Sequence, residues 1–454
     1  MTRLADDNLM LLNEFDTMTA EAPSPAFLDE IRKSAVARFK AAGFPGPKDE
    51  QWRFTNISPI TRGEFKLGAL HEDLRVTNLA AQYSFGSDAS SEIVLVNGFF
   101  SPKLSRIGKL PKGVIVSGFA DAMTAHATLI ETALAKYADI SRNPFVALNT
   151  SFIRDGVFIF VPRNTTIEAP IHLIYVSTEE ASQTVSHPRT LIIAEDNAEL
   201  PVVESFVGAS GVYLTNAVTE IVLGNDCRID HCKLQQESLA AYHVATMQVR
   251  LGRQTQFVSH AITIGGKLTR NDLNCVMDGD AAYATLNGLV LIKGNQHCDN
   301  HTLLDHARPN CPSHELYKHV LADKSSAVFK GQILVRQIAQ KTDSKQTSKS
   351  LLLSDDATMN SQPALEIYAD DVKCTHGSTT GPVDEDMIFY LRSRGVGMEA
   401  ARHLLTYAFA ADVTRRIKIE PVRRRVEDFM ANQHGLPQDL RINDLTSFDE
   451  AVTN

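Results

Sequence analysis

The chain has 454 residues, a net charge of −9 at pH 7 and 43% hydrophobic residues, which is typical of soluble globular proteins. The acidic balance argues against a nucleic-acid-binding protein, and no apolar run approaches the ~18 residues of a membrane span. The first residues lack the basic start and apolar middle of a signal peptide, so we expect a cytoplasmic protein with reduced cysteines.

The first 90 residues are predicted to form helices and loops. One helix is indicated by apolar residues spaced by four, followed by a Gly/Pro segment that ends it: Phe27, Ile31, Ala35 and Phe39, then Gly43 to Pro47. The only tryptophan, Trp52, comes next. We interpret it as a packing residue that holds the N-terminal segment on the rest of the protein, with an interface anchor as the alternative.

From Ser91 the pattern changes to short β runs, interrupted by a helical stretch near 121–137. A small residue recurs in the turns between runs, at Thr166, Ala198, Cys227, Thr255, Ala282, Ala327 and Ala357. The separations are 32, 29, 28, 27, 45 and 30 residues, a repeat of about 30 with one predicted insertion. A β-sandwich or jelly roll gives no reason for such a period. We therefore predict a right-handed parallel β-helix.

The long interval is rich in residue types that bind metals: His297, His301, His306, His314, His319, Cys298 and Cys311. Their spacing fits no compact four-ligand template for zinc or iron. We interpret them as polar edges of the rungs and as core histidines, rather than as a metal site.

The segment Val328–Gly395 changes periodicity twice. Phe329–Val335 is predicted to be a strand, and the polar Lys341–Lys349 a turn-rich connection. Leu365–His376 alternates at period two, which predicts one continuous strand ended by Gly377.

The residues after Pro382 are predicted to be helical. Acidic residues 384–386 occupy the first turn, where the helix dipole favours them, and Gly395 is a stop signal. A second helix is indicated by an apolar stripe at Ala401, Leu404, Leu405, Ala408, Phe409 and Val413. A third is predicted to begin at Pro421 and to bury Val422, Val426, Phe429 and Met430.

Several of these motifs, in this order, resemble the SufB/SufD family of iron–sulfur cluster assembly proteins. The similarity covers roughly residues 140–415 and rests on FKGQILVRQIAQKTDSKQTSKSLLLSDDA, PALEIYADDVKCTHG and FYLRSRG; the earlier KDEQWRFT is similar to an N-terminal motif of the SufD branch. SufB proteins carry a cysteine in the closing motif, where this chain has Leu391. That departure, with CTHG at 374–377, points to the SufD branch.

The resemblance implies a right-handed parallel β-helix over 91–382, between helical regions at 1–90 and 383–454. It also implies a heterodimer with a SufB-like paralogue and a complex with a SufC-like ABC ATPase, with a homodimer possible when the chain is alone. The ATPase would dock on the C-terminal region, for which we select Phe389, Tyr390, Arg392, Arg394, Leu404 and Leu405.

The resemblance further assigns His376, with Cys374 beside it, to the interface where clusters form transiently. Thiolate and imidazole suit iron, and residues two apart in a strand share one face. Two ligands cannot hold a cluster alone, so a partner cysteine would complete the site. The alternative is a buried cysteine and a capping histidine on the last rung.

We expect a non-catalytic subunit. The chain lacks GxxxxGK[ST], so any ATPase activity would belong to a partner and no nucleotide would bind here. A purely structural scaffold without metal contact remains open, as does a stand-alone β-helix enzyme acting on carbohydrates. Such an enzyme would need two carboxylates that act on the same substrate. The chain has two acidic pairs, Asp355 with Asp356 and Asp370 with Asp371. The second pair is predicted to lie on opposite faces of a strand, where the two carboxylates could not act together.

Overall fold

The computed structural model describes residues 14–19, 24–46, 48–178 and 183–434. The predicted helix end at Pro47 and the outermost parts of the 1–90 and 383–454 regions lie outside these residues. Residues 14–19 are helical. The helices are α1 (Ala26–Ala42), α2 (Ser58–Thr61), α3 (Leu74–Tyr83), α4 (Phe119–Ala125), α5 (Ala127–Glu131), α6 (Pro144–Ser151), α7 (Glu385–Ser393), α8 (Met398–Thr414) and α9 (Glu420–His434), with 3-10 turns at Glu50–Trp52 and Gly86–Asp88.

The strands are β1 (Lys66–Leu67), β2 (Ser91–Val96), β3 (Phe99–Phe100), β4 (Arg106–Ile107), β5 (Ile115–Gly118), β6 (Gly156–Val161), β7 (Ile171–Ser177), β8 (Thr184–Ser186), β9 (Arg189–Ala194), β10 (Glu199–Gly208), β11 (Tyr213–Leu223), β12 (Arg228–Gln236), β13 (Tyr242–Leu251), β14 (Gln256–Thr263), β15 (Leu268–Met277), β16 (Tyr283–Ile292), β17 (His297–His306), β18 (Pro312–Leu321), β19 (Ser326–Val335), β20 (Asp343–Leu352), β21 (Thr358–Ser361), β22 (Ala364–Ile367) and β23 (Lys373–Gly381).

Successive strands alternate between two stacked sheets, which confirms the predicted parallel β-helix. The first sheet has the order β5-β6-β9-β11-β13-β15-β17-β19-β21, with β22 also on β19. The second has the order β3-β2-β7-β10-β12-β14-β16-β18-β20-β23. Pairing from β10 onwards is parallel and in register, so the solenoid makes about eight turns. Side chains of every second residue face an apolar interior that runs along the solenoid.

The repeating turns explain the small residues seen in the sequence. Six successive turns place one residue at positive φ: Asn197, Asp226, Gln254, Ala281, Asn310 and Lys341. The residue after each is buried in the corner of the rung: Ala198, Cys227, Thr255, Ala282, Cys311 and Thr342. A large side chain does not fit that corner, and this selects the small residues.

The predicted insertion between 282 and 327 is wrong. Cys311 continues the column of corner residues 29 positions after Ala282, and Thr342 follows 31 positions later. Ala327 belongs to the turns at the other end of the rungs, after Asp323. The sequence pattern combined residues from two different columns of turns. The interval between Ala282 and Ala327 is filled by β17 and β18, which form a regular rung of the solenoid.

Two predictions near the end of the solenoid are also wrong. The polar Lys341–Lys349 is not turn-rich: it begins with one turn residue and continues as β20, in which alternate polar residues face inward, namely Ser344, Gln346, Ser348 and Ser350. Leu365–His376 is not one strand, because the chain turns between β22 and β23 and enters the other sheet. Gly377 lies inside β23, which continues to Gly381. Period-two alternation continues across the corner, so the sequence pattern does not reveal the turn.

The predicted helix over Phe27–Phe39 and the predicted packing role of Trp52 are confirmed. α1 covers the predicted helix and packs against α6, which follows the predicted helical stretch near 121–137. Trp52 is buried, with its ring centroid 5.2 Å from that of Phe145. The Arg270 guanidinium lies 4.3 Å from the Trp52 ring centroid. Trp52 therefore holds the N-terminal segment on the solenoid, as we interpreted it.

The C-terminal helices cover the outer face of the second sheet. The Lys318 ammonium on β18 lies 2.9 Å from the Asp412 carboxylate on α8. The predicted stripe on α8 is rotated: Ala401 and Val413 are buried, but Ala408 is exposed. The remaining buried positions are Thr406, Tyr407, Ala410, Ala411 and Thr414. α9 buries Val422, Val426 and Met430 as predicted, while Phe429 is half-buried.

α7 ends before Gly395, whose φ of 87° is favourable only for glycine, as the stop signal predicted. Across the described ranges, no helix combines the length and apolarity needed to cross a membrane.

A buried ion pair fastens the helical segment 119–151 to the first sheet. Arg189 and Glu220 bond to each other with both side chains fully buried. Glu220 also accepts hydrogen bonds from the backbone N–H groups of Ala135, Tyr137 and Ala138, at 2.9–3.1 Å. One carboxylate thus supplies the counter-charge of a buried guanidinium and accepts the backbone N–H groups at the end of a helical turn.

We expect Glu220→Gln to lower the free energy of unfolding by about 3 kcal/mol, because the Arg189 charge would remain buried without a counter-charge. Equilibrium unfolding in urea measures this change. The matched control is Asp226→Asn, which removes an exposed ion pair with Arg253 and should cost less than about 1 kcal/mol. Equal costs for the two substitutions would contradict the prediction.

Candidate functional site

The solenoid ends in a rung that nothing covers within the described part of the chain. β23 pairs only with β20, while β21 and β22 pair only with β19. Tyr368, in the turn between β22 and β23, is 63% exposed, and Ile367 is exposed beside it. Backbone donors and acceptors on these edges therefore face solvent together with apolar side chains.

Cys374 and His376 lie on the interior side of β23. Cys374 is half-buried and packs against the interior core. The Ser378 hydroxyl donates to the Ser361 hydroxyl across the two sheets at 2.8 Å. His376 lies between them at the same spacing and is exposed, because its side of the solenoid is open. The predicted shared face of Cys374 and His376 is thus correct, although the predicted strand was not.

A column of polar side chains leads from His376 into the interior. His376 is in register with Gln346 on β20, and Gln346 with Glu315 on β18. The Gln346 amide donates to the Glu315 carboxyl at 2.6 Å, and both side chains are buried. Burial raises the pKa of Glu315 from 4.5 to about 7. Neither residue was identified from the sequence, because Glu315 lies in a stretch interpreted as rung edges and Gln346 in one interpreted as a turn.

A second column lies beneath Cys374. Cys374 is in register with Ser344, whose hydroxyl is 2.7 Å from that of Ser313, and Ser313 is 3.0 Å from His306 Nε2. Burial raises the pKa of the Cys374 thiol, an effect partly offset by a backbone hydrogen bond at Ser344. The thiol would therefore be protonated at neutral pH until a cation or an electropositive partner approaches.

The His-rich segment is distributed among several environments. His306 and His319 are buried, and burial lowers the pKa of each to about 4. His297 is hydrogen-bonded to Thr55 at 3.0 Å, and His301 to Asp299 at 3.0 Å. His314 is exposed. These positions agree with core and edge histidines, and among the described residues no group of three or more His, Cys, Asp or Glu is arranged to hold a metal ion.

Of the residues selected for ATPase docking, the four on and just after α7 are exposed, and the two on α8 are half-buried. Phe389 is 73% exposed and Tyr390 51% exposed. The Arg394 guanidinium stacks 3.7 Å from the Tyr390 ring centroid, and Arg392 is exposed. The two leucines of α8 are half-buried: Leu404 and Leu405. We call these six residues the tail surface.

The acidic pairs are not organised as a catalytic site. Asp370 and Asp371 lie in the turn before β23, not in a strand, and Asp371 forms an ion pair with Lys341. Asp355 and Asp356 are exposed in the turn before β21. Neither pair lines the cavity beside Glu204 and Lys233 or the cavity beside Gly98 and Asp155.

Known proteins resemble the chain over most of its length. Residues 175–409 match the family described as SUF system FeS cluster assembly, SufBD core domain, and residues 5–173 match the SufBD protein N-terminal region. The iron–sulfur cluster assembly protein SufD of Escherichia coli is 30% identical over 85% of this chain and 88% of its own length. A SufBD family protein of Synechocystis is 30% identical over 87% and 88%, and SufD of Bacillus subtilis is 26% identical over 88% and 93%.

The raised pKa of Glu315 makes stability depend on pH. The unfolded chain loses this proton near pH 4.5 and the folded chain near pH 7, so the folded state binds more protons in between. Stability should therefore fall as pH rises from about 4.5 to about 7, by up to ~3 kcal/mol from this group. Glu315→Gln should flatten the profile and be more stable than the wild type at pH 8. Urea unfolding across this range measures it.

The control for that experiment is Glu366→Gln, the same substitution at an exposed glutamate in the last rung. Its pH profile should run parallel to that of the wild type. If the Glu315→Gln profile also runs parallel, the Glu315 prediction is wrong.

Proposed function

The chain belongs to the SufBD family of iron–sulfur cluster assembly proteins, and we propose that it acts as the SufD-like subunit of a SUF scaffold. The observation that carries this proposal is the uncovered end of the solenoid, where Cys374 and His376 lie side by side on the interior face. Nascent clusters would form there, at the interface with a SufB-like paralogue. The resemblance found in the sequence motifs is confirmed by the family matches.

The open edges support a partner at this end. β23 offers nine residues whose outer backbone groups lack a neighbouring strand among the described residues, and β21 and β22 offer eight more. Exposed edges of this length favour pairing with another chain. As a member of the same family, a SufB-like paralogue is expected to present a matching end, and a second copy of this chain would replace it when the paralogue is absent.

The two side chains can contribute part of a cluster site. Neutral imidazole and thiolate are suitable ligands for iron, and a thiol loses its proton when it binds a metal ion. The cluster is cargo that the complex builds and passes on, so an incomplete site on each chain is an advantage. This chain has Leu391 where SufB proteins carry a cysteine, and the missing ligands would come from the partner.

The tail surface supports the ATPase contact. An exposed phenylalanine and tyrosine flanked by arginines are typical of interface hot spots, since aromatic rings and guanidinium groups dominate binding energy. We therefore propose that a SufC-like ATPase docks on Phe389 and Tyr390, that the subunit itself is non-catalytic and cytoplasmic, and that 1–90, 91–382 and 383–454 act as separate regions.

A scaffold without metal contact would share this assembly and differ only at Cys374 and His376. The carbohydrate-enzyme alternative has less support, because both acidic pairs are exposed in turns.

We expect the tagged chain, co-expressed with the SufB-like and SufC-like proteins of its host, to purify as a complex of one SufB-like, one SufD-like and two SufC-like subunits. Native mass spectrometry gives the composition. Purification of the chain alone would remove the main support for the proposal.

In the same experiment, Phe389→Ala combined with Tyr390→Ala should remove the ATPase and retain the SufB-like protein. The matched control is Leu239→Ala, an equally exposed apolar residue in a solenoid turn.

We expect His376→Ala to leave the complex intact and to reduce cluster transfer to an apo-ferredoxin about tenfold, because one ligand of the nascent cluster is lost. Anaerobic reconstitution followed by visible circular dichroism measures the transfer. Thr375→Ala is the control, because Thr375 faces the opposite side of β23. Unchanged transfer in His376→Ala would favour the scaffold without metal contact.

A further inference from the structure

The side-chain carbonyl oxygen of Gln346, one rung below His376, is a buried hydrogen-bond acceptor that lacks a donor among the described residues. The Gln346 side chain is 1% exposed, and its carbonyl oxygen Oε1 has no hydrogen-bond partner within the described chain. Buried polar atoms almost always have a partner, so an open acceptor in this position needs an explanation.

The orientation of the Gln346 amide is fixed from two directions. Its nitrogen donates to Glu315 Oε2 at 2.6 Å on the rung below. Across the interior it lies against Gly331 of β19, where an added Cβ would be 2.2 Å from Gln346 Nε2. The backbone conformation of Gly331 is one that any residue can adopt. Glycine is required there because a Cβ would occupy the space of the Gln346 amide. With the nitrogen held in this way, the oxygen is left for another donor.

His376 lies on the adjacent strand and has a side chain that can donate a hydrogen bond. It is in register with Gln346 on the adjacent strand, about 4.8 Å away along the column. Its neighbours on the same face have other contacts: Ser378 bonds to Ser361, and Cys374 packs on the core above Ser344.

We propose that Gln346 is a positioning residue whose Oε1 accepts a hydrogen bond from the ring N–H of His376. This bond selects one imidazole tautomer and leaves the lone pair of the other ring nitrogen directed towards the partner. Histidines that bind metals generally donate their second N–H in this way, and the acceptor decides which nitrogen is the ligand. The hydrogen bond itself does not depend on the proposed function. Its role in positioning a cluster ligand does rest on the proposed function.

The test is the tautomer of His376, measured by nitrogen NMR on the full chain labelled with ¹⁵N-histidine, with His376→Gln identifying the signals. We expect one neutral tautomer to predominate in the wild type. In Gln346→Met, which keeps the side-chain length but has no carbonyl, the ratio should shift about fivefold, as expected for the loss of one hydrogen bond. Gly331→Ala, which displaces the amide, should shift the ratio in the same direction and serves if Gln346→Met does not fold.

The matched control is Gln332→Met, at a glutamine of β19 that is bonded to Glu366. It should leave the His376 signals unchanged. An unchanged ratio in both Gln346→Met and Gly331→Ala would overturn the proposal and assign the acceptor to water.

The His376–Gln346 hydrogen bond and the role of His376 in cluster assembly can be tested separately. If His376→Ala leaves cluster transfer unchanged while Gln346→Met shifts the tautomer, the hydrogen bond is correct and the proposed function of His376 is wrong. If transfer falls in His376→Ala and the tautomer is insensitive to Gln346, the assembly role holds and the positioning role does not.

Discussion

In-register stacking of parallel strands is the constraint on which the rest of this protein depends. Each inward side chain lies directly above one from the previous rung, about 4.8 Å away, so every column must be compatible along its length. The helical N-terminal segments and α8 and α9 cover the sides of the stack. The stack cannot close its own last rung, because a strand added in register always exposes a new edge. The open end is therefore a direct product of the architecture.

The same constraint explains how the interior tolerates charge. Polar residues that face inward bond across the sheets or along their columns, as Lys233 does to His243 at 2.8 Å and to Asn271 at 2.6 Å. Glu204 bonds to His231 at 3.1 Å in the same region. A cavity of about 30 Å³ lies beside them, large enough for one or two waters. Stacking supplies partners at fixed distances, so these groups are compensated while lying among apolar residues.

The sequence predicted the architecture well because the corner turns carry a strong local signal. A residue at positive φ followed by a buried small residue recurs every rung, and this period survives large changes in the strands. The pairing of Cys374 with His376 was also predictable, since it needs only the two-residue period. The wrong predictions have separate causes: two columns of turns were read as one, and period-two alternation continues across the corner between β22 and β23. Polar residues such as those of β20 indicate a turn when neighbouring strands are ignored, yet stacking against other rungs buries them. Glu315 and Gln346 could not be associated with His376 from the sequence, because they lie 61 and 30 positions earlier in the chain.

β18 has two different neighbours on its two faces. Glu315 points into the interior column below His376. Lys318, three residues along, points outward to Asp412 and also donates to the Phe409 backbone carbonyl at 2.8 Å. One strand thus separates the helices beside the tail surface from the column that ends at His376. A mechanical load applied to α8 would cross a single layer of backbone to reach that column. The backbone of one β-strand is all that separates the Lys318–Asp412 contact from this interior column.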